Sequence, residues 1–276
     1  MLVRNILFAF ATSLLLGLSS SAFAAELPVE QDLDMAHLQV LAEQGDADAQ
    51  FRLGTLYEHG LGVKEDRQAA LDWLRRAAEQ GHVAAQSSLG ALYSFDLEDL
   101  PADYALARTW LLRAAEQGNA RAQYNLGVLY RDALGVERDT PVALKWFQQA
   151  AEQGDPVAQY NLGVLYENPG IAQLTNAIKW YRLSATQGFA AAQYNLALIY
   201  FNGNGVTADR VLGYALLMLA EANAPSDNSG LATPVEEAAQ VMQEEQVSAG
   251  QVLASQLQEN LTMAMDSYLG KKKTAL

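Results

Sequence analysis

Apolar and polar positions along this chain alternate in blocks that recur. Counted from the glycine of a repeated AEQG tetrad, each following block carries Ala at +4, Gln at +5, Leu at +8, Gly at +9 and Tyr at +12; only the fifth copy departs, with Ala197 at +9. In the copy that follows Gly154, Ala158, Leu162 and Leu165 form one helical stripe, and Gln159, Gly163 and Tyr166 form a second beside it. Two such stripes predict a helix with packed neighbours on two sides. The block that ends at the tetrad places Ala143, Trp146, Phe147 and Ala150 at i, i+3, i+4 and i+7, an amphipathic helix whose apolar face must cover the first.

The tetrad stands at Gly45, Gly81, Gly118 and Gly154, and as ATQG at Gly188, with spacings of 36, 37, 36 and 34 residues. A period in this range predicts a solenoid of helical pairs and not one globular core. Trp73, Trp110, Trp146 and Trp180 each stand eight residues before a tetrad glycine. The helix ends are marked too. Gly154 fits the left-handed residue after a helix, and Asp155 with Pro156 supplies an N-cap and first-turn proline for the next. Asp139, Thr140 and Pro141 repeat that grammar, and GLGV at 60–63 and GNGV at 203–206 suit tight connections with φ > 0. SFDLEDLPAD and ENPGIAQLT replace the glycine loop in the second and fourth copies, and irregular curvature is expected there.

Outside the repeats, the first 24 residues carry Arg4, an apolar run from Ile6 to Leu18, and small residues at Ala22 and Ala24. This pattern reads as a secretory signal peptide cleaved near Ala24, which puts the mature chain in the periplasm or outside the cell. Without Arg4, 17 basic residues face 32 acidic ones, a formal charge of −15. Such a surface repels nucleic acid and anionic headgroups and attracts basic partners. The chain has no cysteine, so packing alone must hold it together. After Ala224, PSDNSGLATP reads as a linker. Val235, Ala238, Ala239 and Met242 then mark one helical stripe, and Val247, Gly250, Ala254, Leu257, Leu261 and Ala264 another. The expected organisation is a signal peptide at 1–24, a repeat array at 25–224, and a linker with capping helices at 225–276.

The pattern AxxxLGxLY, GxGV, DxxxAxxWxxxAAEQG resembles the Sel-1-like repeat family, relatives of tetratricopeptide repeats, over residues 32–224. HLQVLAEQG at 37–45 resembles the second half of a repeat. DRVLGYALLMLAEAN, with Leu216 in the tryptophan position, resembles the family's terminal repeats, and MQEEQVSAGQVLA is similar to the short helix that often closes such arrays. The resemblance implies an all-α, right-handed solenoid of about five helix-turn-helix repeats with a C-terminal helical cap. It also implies a protein-binding concave face and, by analogy with exported members, neutralisation of a phospholipase-type toxin delivered by type VI secretion.

Catalytic chemistry has no foothold in this sequence. His37, His59 and His82 lack metal-ligand spacing, the glycine pairs lack the strand and lysine of a phosphate loop, and no GxSxG or HExxH is present. The chain therefore reads as a non-enzyme with no cofactor, no metal and no membrane insertion, monomeric until it meets its partner. What remains is a third stripe on each first helix, facing neither neighbour. It carries Phe51, Tyr124, Arg131, Tyr160, Glu167, Tyr194 and Phe201, with Asn125, Asn161 and Asn195 at its border. Three tyrosines in register predict a ladder of open aromatic faces, which suits protein recognition. Two roles fit such a surface: inhibition of a basic-fronted toxin, or recruitment of a peptidoglycan or polysaccharide enzyme as an envelope regulator or assembly factor.

Overall fold

The computed structural model of the protein describes residues 35–96, 101–168, 171, 173–224 and 232–274, so the signal-peptide assignment and most of the linker lie outside the described residues. The described residues form fourteen helices and no strand. A lone helix, α1 (Met35–Glu43), leads into five pairs: α2 (Ala47–His59) with α3 (Arg67–Glu79), α4 (Val83–Tyr93) with α5 (Tyr104–Glu116), α6 (Ala120–Asp132) with α7 (Thr140–Glu152), α8 (Pro156–Glu167) with α9 (Leu174–Thr186), and α10 (Ala190–Asn202) with α11 (Arg210–Asn223). Helices α12 (Ala232–Gln240), α13 (Glu244–Glu259) and α14 (Leu261–Thr274) follow. Each first helix packs on its own second helix and on the second helix of the preceding pair, which makes an all-α solenoid.

The two expected stripes are the core. Ala158, Leu162 and Leu165 are buried on one side of α8, and Gln159, Gly163 and Tyr166 on the other. Glycine at +9 lets the paired helices approach closely, because a Cβ on Gly163 would lie 2.5 Å from Cε1 of Tyr181 and one on Gly127 would lie 2.8 Å from Phe147. The tetrad glycine ends each second helix with a positive φ, 96° at Gly154, and open space around it. Asp46, Asn119 and Asp155 then cap the next helix by accepting a backbone N–H. His82 does the same through Nδ1, which must carry a lone pair there, so Nε2 holds the proton and donates to Asp48 at 3.0 Å.

One polar element of the core is periodic. The +5 glutamines, Gln50, Gln86, Gln123, Gln159 and Gln193, are buried, and each donates to a carbonyl eight residues earlier, as Gln123 does to Ala115 at 3.1 Å. Their Oε1 atoms accept from the glutamine of the following tetrad: Gln80 to Gln50, Gln117 to Gln86, Gln153 to Gln123 and Gln187 to Gln159, all within 2.8–2.9 Å. Asn223 closes the series on Gln193 at 3.1 Å. Each +5 glutamine thus donates across a repeat boundary to the preceding second helix and accepts from the end of its own second helix, which ties three successive helices into one register.

Beyond α11 the chain folds back. Helix α13 lies along α11, with Gly250 against the Tyr214 ring and Leu253, Ala254 and Leu257 buried. Helix α14 returns to the array, where Asp266 accepts from Arg182 at 2.5 Å and the Tyr268 hydroxyl donates to Asp209. Helix α12 packs on α11, and Ala238 is buried.

Candidate protein-binding groove

The third stripe of the first helices is held by contacts that run between repeats. On α6, the Arg131 guanidinium makes two bonds to Asp132, at 2.8 and 2.7 Å, and a third to Oδ1 of Asn161 on α8 at 2.7 Å. It also lies 5.7 Å from the centre of the Phe147 ring. The Asn161 amide donates to the Val157 carbonyl at 2.9 Å and reaches the Tyr124 hydroxyl at 3.5 Å. Burial, partly offset by Arg131, pushes the Tyr124 hydroxyl up to about 12, so this phenol stays protonated and available as a donor.

The next repeat makes the same kind of link with different parts. Asn195 on α10 is hydrogen-bonded to the Tyr160 hydroxyl and donates to Tyr181 at 3.1 Å. Tyr181 donates in turn to Glu167, and burial holds the Glu167 carboxyl above the usual carboxylate range against that bond. The Tyr160 ring is tilted against both Tyr181 and Phe189, with centroids 5.9 and 5.3 Å away. Tyr124 and Tyr160 are both half-buried, so part of each ring remains exposed on the groove floor.

The expected ladder of three open rings is corrected at its C-terminal rung. Tyr194 is 6% exposed, and its ring is packed in the same cluster as Ala238 of α12 and Leu253 of α13. Asn161 and Asn195, expected beside the rings on the binding face, are buried and occupied by tyrosine hydroxyls. Phe51 stacks on His82 at 4.7 Å, and Phe201 is fixed under Gly213, where an added Cβ would fall 2.8 Å from the Phe201 Cα. Asn125 and Arg131 are half-buried, and Glu167 is exposed along its length while its carboxyl end is turned onto the part-buried Tyr181 hydroxyl. The accessible aromatic surface is therefore the Tyr124–Tyr160 pair, flanked by Asn125, Arg131, Asp132 and Glu167. Tyr181 and Asp132 escaped the sequence reading. The signal for Tyr181 was a hydroxyl where the other repeats carry Leu74, Leu111 and Phe147, since a buried phenol needs a partner.

At the N-terminal end the groove narrows in chemistry. Helix α4 offers only Ala84, Ser87, Ala91 and Ser94 on this stripe, and Ser87 and Ala91 are buried. Glu58, one repeat earlier, has its carboxyl raised by burial, with His59 and Arg121 pulling it back down. No group of three or more His, Asp or Glu side chains among the described residues could hold a metal, and no described helix is long and apolar enough to cross a membrane.

The Sel1 repeat matches residues 47–82, 83–119, 120–155, 156–189 and 190–222, one match for each helical pair, and the chain belongs to this family. The crystal structure of c5321, a protective antigen present in uropathogenic Escherichia coli strains displaying an SLR fold, is similar with a TM-score of 0.74 and 33% identity over 85% of this chain. The chain spans 50% of that protein's length. A Sel1 repeat protein from Oxalobacter formigenes is similar with a TM-score of 0.64 and 31% identity, covering 69% of this chain and 76% of that one. Immunity protein Pa5087 from Pseudomonas aeruginosa shows 25% identity and a TM-score of 0.44 over 70% of this chain and 76% of its own. No curated protein matches the chain. Sel1 repeats generally mediate protein–protein interaction, and the array described above is a scaffold of that class.

Proposed function

We propose that this protein is an exported, non-catalytic scaffold that grips a protein partner in the groove floored by Tyr124 and Tyr160, and that the partner presents a basic surface. The carrying observation is the pair of half-buried rings held in fixed orientation by Asn161, Asn195 and Tyr181 on a chain of formal charge −14. Rigid aromatics contribute contact area at little entropic cost, and a strong negative field speeds encounter with a positive surface. The sharper form of the reading is inhibition: a scaffold covering the basic entrance of a phospholipase-type toxin delivered by type VI secretion would act as its immunity protein. Support for that form comes from the sign of the charge and from the family resemblance.

Affinity capture from a periplasmic extract tests the scaffold reading, with the wild-type chain and a Tyr124→Ala/Tyr160→Ala variant as baits. Truncating an anchor aromatic costs about 2 kcal/mol, so the double change should weaken capture about a thousandfold while helix content by circular dichroism stays constant. A folded variant that retains the partner sinks this reading. The inhibitor form adds a second demand: producing the chain should protect cells from the captured protein when that protein is directed to the periplasm.

A further inference from the structure

Tyr124, Tyr160 and Tyr194 occupy one position in three successive repeats, yet only the third is sealed from solvent. The first two hydroxyls are each met by the asparagine of the following first helix, Asn161 or Asn195. No first helix follows α11, and the Tyr194 hydroxyl is buried without any hydrogen-bond partner. Helix α12, packed on α11, stands nearby. Val235, Ala238, Ala239 and Met242 belong to the same packed cluster as Tyr194, and Glu237 is the charged side chain that acts on its hydroxyl without bonding to it. The apolar stripe of α12 offers that hydroxyl no acceptor, and a buried donor left unsatisfied is a standing free-energy cost.

The attachment of α12 also differs from that of its neighbour. Helix α13 is anchored on α11 by Gly250, Leu253, Ala254 and Leu257, whereas Ala238 is the one buried side chain among those described on α12, which is held at its end by Arg210 donating to the Val241 carbonyl at 3.3 Å.

We propose that the C-terminal end of the groove, over Tyr194, is a helix-binding subsite with α12 as its resident occupant. The partner's anchoring element is then an amphipathic helix with a Val/Ala-sized stripe and one side-chain acceptor for the Tyr194 hydroxyl, and it exchanges with α12. The identity of the exchanging partner rests on the groove being the binding surface; the residence of α12 does not. A tethered occupant competes at high effective concentration, so an outside helix must either satisfy the donor that α12 neglects or meet a chain from which α12 has been released.

The test uses the full chain and a fluorescent peptide of residues 232–243 as the probe. Ala238→Asp, with Val235→Asp as a second variant, should release α12 alone: hydrogen exchange then accelerates in 232–242 while 244–259 stays protected. The peptide should bind these released variants at least tenfold more tightly than wild type, where the subsite is filled. Tyr194→Phe in a released variant should leave peptide binding equal or tighter, because the hydroxyl has no partner to lose. Equal binding to wild type and released variants overturns the proposal, as does no binding to a chain whose α12 is shown to be free, or weaker binding with Tyr194→Phe. Because no external partner is needed, failure of the tyrosine capture experiment and failure of this one are separate results.

Discussion

Gly163 is the position at which the packing argument can be made quantitative. A Cβ there would stand 2.5 and 2.6 Å from Cε1 and Cδ1 of Tyr181, and that ring cannot retreat freely: it is fully buried, and its hydroxyl both donates to Glu167 and accepts from Asn195. Replacing a helical glycine normally gains up to ~1 kcal/mol of helix propensity. Overpacking by a β-branched side chain costs ~1–3 kcal/mol, and displacing a phenol bonded to a carboxylate costs a further ~1.5–3 kcal/mol. Gly163→Val should therefore destabilise by about 2–4 kcal/mol net. In a chain of this size that is a loss of about 5–15 °C in thermal midpoint, read by circular dichroism. A double-mutant cycle with Tyr181→Ala identifies the cause. With the ring gone, the valine penalty should nearly vanish. A penalty that persists without the ring, or a midpoint that never moves, refutes the close-approach account.

Gln123→Leu should cost about 1–3 kcal/mol in a denaturant titration, because it strips the Ala115 carbonyl and the Gln153 amide of their partner in one step. Glu58→Gln should stabilise the protein at neutral pH. The Glu58 carboxyl is raised in the fold, so the native state takes up its proton first, and the stability this contributes is present at low pH and lost as pH rises through the folded value. Across that window the wild-type midpoint should fall more steeply with pH than that of Glu58→Gln; parallel slopes would show that burial does not strain this carboxylate.

The helical pairs, their caps and the glycine approach were legible because each signal is local and is written five times. Offsets of three and four residues decide which side chains share a stripe, and no knowledge of the neighbour is needed. Tyr194 misled for the opposite reason. Its sequence surroundings, AAAQYNLAL, resemble those of Tyr160, but α11 is followed by α12 and α13 and not by another repeat, and no periodicity encodes how those helices dock. Tyr181 was hidden by lying at a core position, where a hydroxyl that reaches the groove looks like packing. The tetrad glutamines gave no signal of their own: Gln153 is exposed by surface area, yet its amide is committed to Gln123 on the paired first helix.

The glutamine series also makes the number of repeats adjustable. Each +5 glutamine reaches only the carbonyl at the end of the preceding repeat and the glutamine at the end of its own, so any whole copy can be excised in register. Removing residues 120–155 would bring Pro156 behind Asn119. Gln159 would then find the Ala115 carbonyl in place of the Ala151 one, Gln117 would keep Gln86, and Gln187 would keep Gln159. The glutamine series would register no loss, while the groove would shorten by one rung and lose Tyr124 and the Arg131 bond to Asn161. In such an architecture copy number is a dial that sets the length of partner the protein can hold, and near-identical stretches such as 114–130 and 150–166 are the detents at which it can be turned.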